Sequence, residues 1–196
     1  MDLGYHELLE AFQQDHWTVH RGNTKLSGHE LEKIIGPNSM DVTLHDEFLL
    51  PVGGEVVNTL DGASVNYRRK LVETSYPLMP GQFLLASTRE RVDCTKPLHL
   101  LDIDRTFYSN YEGRSTMARL GVMSHITAGL GDYGFNRPYV LEIYNVSPNT
   151  ITLYPGMRIG QLVFREVYRP KLYAGAYKAP QDDWQTIGPV LGIGRT

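Results

Sequence analysis

The chain has 196 residues, 41% of them apolar and 21% charged, a length and balance that fit one folded domain and exclude a disordered or fibrous polymer. Its formal charge of −3 gives no general attraction for nucleic acid polymers or anionic membranes, so any phosphate site has to be local. The single cysteine, Cys94, excludes an internal disulfide and a cysteine-rich zinc site.

Met1-Asp2-Leu3-Gly4-Tyr5 has no basic run leading into an apolar one, and nowhere do about 18 apolar residues run together. The expectation is a soluble, cytoplasmic protein, in the host cytoplasm if the chain is virus-encoded. Residues 1–36 carry helical signals: Leu8, Leu9 and Phe12 at helical spacing, then Ser27-Gly28-His29-Glu30 as a capping box for a helix that Gly36-Pro37 stops. From Met40 onward short apolar runs at 40–50, 82–88, 98–103, 122–128, 139–146, 150–154 and 158–167 alternate with turn residues. That spacing predicts a mainly β barrel or sandwich with short N-terminal helices, in a single domain over 1–196. Residues 51–66 read as a loop or hairpin, Arg68-Arg69-Lys70 as a solvated face, and 168–196 as a tail long enough to reach a neighbouring subunit.

Four stretches could carry chemistry. In Glu112 to Gly121 a Gly-led turn opens a short helix that Gly121 can end; Arg114, Ser115 and Thr116 could cradle a phosphate there, and Ser115 and Arg119 share a helical face. The alternative is an N-cap serine with a surface arginine. In Thr127-Ala128-Gly129-Leu130-Gly131-Asp132-Tyr133-Gly134-Phe135 a glycine-rich turn holds one acid, Asp132, able to orient a hydroxyl or a water, or simply to satisfy its own backbone. In Tyr139 to Asn145 strand alternation puts Val140, Glu142 and Tyr144 on one face and Tyr139, Leu141 and Ile143 on the other. Glu142 must then pair with a cation, for which Arg119 is the natural candidate, lie on an open face, or be held for proton transfer. Pro155 to Phe164, with Gln161, reads as a tight turn into a strand, and His125 as a structural histidine rather than a metal ligand.

Taken in order, these segments resemble the dCTP deaminase branch of the dUTPase superfamily. Ile35 to Leu44 is similar to that family's Pro-x-Ser-x-Asp-x-x-Leu strand, and Met79 to Glu90 to its Pro-Gly-x-Phe strand. Gly113 to Gly121 resembles Gly-Arg-Ser-Ser-x-x-Arg, Leu141-Glu142-Ile143-Tyr144-Asn145 the catalytic strand, and Pro155 to Leu162 the closing motif. Together the resemblance covers roughly residues 26–192.

The resemblance implies a homotrimeric, dUTPase-like distorted β-barrel or jelly roll whose sites lie between subunits, with the tail closing over them. It implies that Glu142 deprotonates a water and relays the proton to a cytosine ring, that Ser115 and Arg119 position them, and that no zinc is needed. The Pro-Cys-x-x-Cys signature of zinc-dependent base deaminases is indeed absent. Arg114, Thr116, Thr127, Ala128 and Gln161 become substrate contacts and Asp132 the partner of the 3′-hydroxyl, with magnesium held through the triphosphate and Tyr173, Lys178 and Gln185 as tail candidates for phosphate contact. The implied ligands are dCTP or dUTP, with dTTP as an inhibitor to be tested. Glu142 with Arg119 favours deaminase over plain dUTPase, and Ala128-Gly129-Leu130-Gly131-Asp132 is closer to the dUMP-forming than the dUTP-forming type. Gly131, where isoleucine is usual, Arg137-Pro138 and the tail around Trp184 depart from the family pattern. Open alternatives are a pyrophosphohydrolase without deamination, a dCMP deaminase, and a non-catalytic nucleotide-binding regulator.

Overall fold

A computed structural model describes residues 2–54, 57, 65–94, 105–168 and 171–174. The N-terminal segment is not wholly helical. Helix α1 (Tyr5–Gln13) and helix α2 (Gly28–Glu32) flank a hairpin of β1 (Thr18–Arg21) and β2 (Thr24–Lys25). The hairpin is needed because Val19 enters the core and β1 adds to the sheet edge. The capping box forms as the sequence predicts: Ser27 Oγ accepts from the Glu30 N–H and the Glu30 carboxylate accepts from the Ser27 N–H.

The remaining strands are β3 (Met40–Thr43), β4 (Glu47–Pro51), β5 (Tyr67–Leu71), β6 (Tyr76–Leu78), β7 (Phe83–Asp93), β8 (Arg105–Gly113), β9 (Val122–Met123), β10 (Leu130–Gly131), β11 (Pro138–Asn145), β12 (Ile151–Leu153) and β13 (Arg158–Tyr168), with α3 at Ser115–Leu120. They form a seven-stranded sheet, β2-β1-β7-β11-β9 with β4 joining β5 to β7, a four-stranded sheet, β10-β8-β13-β3, and the pair β12-β6. The mainly β expectation holds. Only Val122–Met123 of the run 122–128 is strand, the run 98–103 lies outside the described residues, and β4 pairs antiparallel with β5, with 55, 56 and 58–64 between them outside the described residues.

The two larger sheets enclose an aromatic and aliphatic core around Trp17, which packs against Phe164 at 4.9 Å and Phe107 at 6.1 Å and donates its Nε1–H to the Leu8 carbonyl at 2.9 Å. Alternation along β11 is as expected: Tyr139, Leu141 and Ile143 are in the core and Val140, Glu142 and Tyr144 are half-buried on the other face. Three charged residues are buried among the described residues: Glu47, Glu90 and Arg137. Glu90, fully buried on β7, accepts from Arg21 Nε at 2.7 Å and from the Thr43 N–H and hydroxyl at 2.7 and 2.9 Å, tying β1, β3 and β7 together.

Replacing Glu90 by alanine strands Arg21 and empties that node, so unfolding in denaturant should show a loss of about 3 kcal/mol. Unchanged stability would mean the node contributes nothing.

Candidate active site

The expected site residues fall into two groups in one chain. The first is built where β3, β8 and β13 run side by side. The register puts Gln161 of β13 between Asp41 of β3 and Glu112 of β8, and Ser39 Oγ donates to Gln161 Oε1 at 3.1 Å. Asp41 takes an ion pair from Arg114, just past the end of β8, and a second from Arg158 at 3.1 Å. One carboxylate thus holds two guanidiniums, a cationic surface suited to phosphate oxygens. Arg114 is itself the N-cap residue of α3, so Ser115 is the first helical residue and the N-cap serine is not found. Ser115, Thr116 and Arg119 are exposed; Arg119 donates to Ser115 Oγ at 3.4 Å, and Gly121 ends the helix at φ +86°.

The second group lines a cleft of about 470 Å³. One wall is the outer face of the large sheet: Glu142 lies across from Leu85 on β7, with Phe83, Val140 and Tyr67 around it. The opposite wall comes from Ala128, Asp132 and Phe135 of the segment before β11 and from Tyr139 on β11 itself, with Tyr173 from the tail. Glu142 Oε2 accepts from the Ile126 N–H at 3.0 Å. The expected pairing with Arg119 is not made within one chain. Among the described residues the backbone turning back after β9 reaches the carboxylate, while Arg119 stays on the exposed face of α3 beside Ser115.

The electrostatics follow from that enclosure. Burial raises the Tyr67 phenol above its ordinary pKa and the Glu142 charge raises it further. Burial also pushes the Tyr111 phenol up, against a hydrogen bond to Ser124 at 2.9 Å that lowers it, and Glu142 adds in the same direction. Both tyrosines therefore face the Glu142 charge from neutral groups.

The loop between is tightly held. Thr127 has φ +98°, a left-handed conformation rare for a β-branched residue, and its N–H points at His125 Nδ1, 3.3 Å away. His125 packs edge-on to Tyr111 at 5.3 Å. Asp132 is exposed at the cleft, and its carboxylate takes no hydrogen bond among the described residues, so it does not serve its own backbone; its carbonyl accepts from the Phe135 N–H at 2.8 Å. Tyr173 donates its N–H to the Tyr133 carbonyl at 2.8 Å and packs edge-on to Phe135 at 6.1 Å. Lys178 and Gln185 lie outside the described residues.

The profile of the family described as dCTP deaminase-like matches residues 13–167. The chain belongs to that family. It is 36% identical over 166 residues to a protein of Methanoculleus marisnigri named dCTP deaminase, dUMP-forming, spanning 84% of this chain and 82% of that one. A protein of the same name from Thermobifida fusca is 35% identical over 156 residues, 78% of this chain and 74% of that one. The fold is shared with the 2′-deoxycytidine 5′-triphosphate deaminase of Agrobacterium tumefaciens, at TM-score 0.58 and 16% identity over 83% of this chain and 47% of that one.

Several residues of the site escape the sequence reading. Tyr67 and Tyr139 enter the cleft from a strand and a bulge that no motif marks, whereas Asp41 lay inside a quoted motif and its role as a clamp for Arg114 had a signal to follow. The shared field yields a prediction. Glu142→Gln should lower the Tyr67 pKa yet leave it above the ordinary tyrosine value, because burial is the larger cause; phenolate absorbance compared with a Tyr67→Phe background reads it. An unmoved Tyr67 titration would separate the two groups.

Proposed function

We propose that this chain deaminates a 2′-deoxycytidine nucleotide, dCTP, with Glu142 as general base and no zinc. The observation that carries this reading is an acid, Glu142, set in an otherwise apolar sheet face inside a cleft of about 470 Å³ and held by one backbone N–H. A carboxylate so placed can take a proton from water and return it to a ring nitrogen. The water oxygen then bonds to C4 of cytosine and its first proton goes to N3; Glu142 next carries the proton of the new C4 hydroxyl to the amino nitrogen, and collapse of the tetrahedral carbon to the C4 carbonyl breaks the C–N bond and expels ammonia. The balance is one water in, one ammonia out, and a uracil ring left.

Ser115 and Arg119 are proposed to position that water and carboxylate from a neighbouring subunit of a homotrimer. They are exposed and lie outside the cleft that holds Glu142 in their own chain, and Arg119 is not spent on an internal ion pair among the described residues. Arg114, Thr116 and Gln161 would bind phosphates, with Arg114 pre-oriented by Asp41. Thr127 and Ala128 would border the base, and Asp132 would take the 3′-hydroxyl.

The further product is proposed to be dUMP and pyrophosphate rather than dUTP. Support comes from the Ala128 to Asp132 loop and from the names of the relatives. The free carboxylate of Asp132 could hold the water that attacks phosphorus. Magnesium fits as an ion carried by the substrate's phosphates, since it prefers oxygen ligands and retains water, with no direct protein ligand proposed. Bound there, it would neutralise phosphate charge.

Incubation with dCTP, dCMP or dUTP and magnesium, followed by chromatography and an ammonia assay, tests this. dCTP should give ammonia and dUMP, and Glu142→Gln should cut ammonia release by roughly 10²–10⁴-fold while dCTP binding persists. Full turnover by that variant would overturn the assignment, as would pyrophosphate release from dUTP with no ammonia from dCTP.

A further inference from the structure

Tyr139 combines four features that no assigned role accounts for. It lies at a bulge: the β11–β7 register shifts between Pro138 and Val140. The Tyr139 N–H goes instead to Thr88 Oγ1 at 2.9 Å, which donates onward to the Glu90 carbonyl at 2.7 Å. Such a bulge re-aims a side chain, and here it sends the phenol across to the other sheet. There the hydroxyl is within hydrogen-bond distance of Ser109 Oγ at 2.8 Å and donates to the Ser109 carbonyl at 2.9 Å, on the β8 residue that faces Gly131 of β10.

The fourth feature is Gly131 itself. A Cβ added there would lie 2.7 Å from Tyr139 Cζ, closer still to the hydroxyl oxygen, and 3.2 Å from the Ser109 carbonyl. Neither the backbone carbonyl nor a buried ring held by two hydrogen bonds can give way cheaply. The phenol thus occupies the volume of any side chain at 131, and β10 can lie against β8 only as glycine. The next residue is Asp132, whose carboxylate has no hydrogen bond among the described residues, so its place at the cleft is set by backbone alone.

We propose that Tyr139 and Gly131 form a coupled pair whose function is to position Asp132, making Tyr139 a positioning residue for recognition of the sugar. The inference rests on the proposed role of Asp132 at the 3′-hydroxyl. The phenol stays a neutral donor through the physiological range, because burial raises its pKa well beyond the ordinary value against the opposing Ser109 hydrogen bond.

The experiment measures calorimetric dissociation constants for dCTP and for 2′,3′-dideoxy-CTP, with melting temperatures, in the otherwise wild-type chain, Gly131→Ala, Tyr139→Leu, the double variant and Tyr139→Phe, each also carrying Glu142→Gln so that dCTP binds without turnover. The otherwise wild-type chain should prefer dCTP. Gly131→Ala should lose that preference, and should cost far less, in preference and in melting temperature, when made in the Tyr139→Leu background, where the ring is gone. Tyr139→Phe, which keeps the ring and the fold, should weaken dCTP binding by about tenfold through loss of the buried hydroxyl while leaving the dideoxy analogue little changed. Equal effects of Gly131→Ala in both backgrounds, or an unaltered preference in Gly131→Ala and Tyr139→Phe, would overturn the proposal. An otherwise wild-type chain that binds both nucleotides equally would remove Asp132 from the sugar and with it the positioning role; non-additive melting would then leave only a packing pair.

Discussion

The site depends on keeping an acid in a strand whose other face is sealed in the core. β11 buries Tyr139, Leu141 and Ile143, which pins its register and leaves Glu142 no choice of face. The half-buried carboxylate emerges among Phe83, Leu85, Val140 and Tyr67, and among the described residues it accepts one hydrogen bond, from the Ile126 N–H. That hydrogen bond links the strand to the loop 124–135, so the acid and Asp132 are carried by structures that touch. The raised pKa of Tyr67 records the same enclosure from the other side.

The remaining chemistry lies where the second sheet ends. β3, β8 and β13 bring Asp41, Gln161, Arg114 and Arg158 together, and a carboxylate shared by two arginines holds them at fixed spacing without neutralising both. In the proposed function this arrangement would supply phosphate contacts, and the Glu142 cleft would take the base and sugar. The proposed homotrimer would join the two at each subunit interface.

Much of this was legible in the sequence. Strict alternation from Tyr139 to Asn145 placed Glu142 correctly, the Ser27 box marked its helix, and Gly121 marked the end of α3. β8 was missed because Thr106, Ser109 and Asn110 dilute its apolar signal; Phe107, Ser109 and Tyr111 nonetheless all point inward, the serine being satisfied by the Tyr139 hydroxyl. Charge suggests Arg119 as the partner of Glu142, but charge does not reveal that within one chain the Ile126 N–H reaches the carboxylate instead. Gly131 looked like a departure from the family pattern, and its reason is a tyrosine eight positions on that only the folded chain brings back.

In the proposed homotrimer, Glu142 of one subunit works with Ser115 and Arg119 of another. The direct measurement mixes two variants, each inactive alone, Glu142→Gln and Arg119→Ala, by joint refolding, and assays ammonia release from dCTP. Complementation to about a quarter of wild-type activity is the result predicted for random assembly of shared sites. Mixed oligomers that stay inactive would place both groups in one subunit's site and contradict the claim.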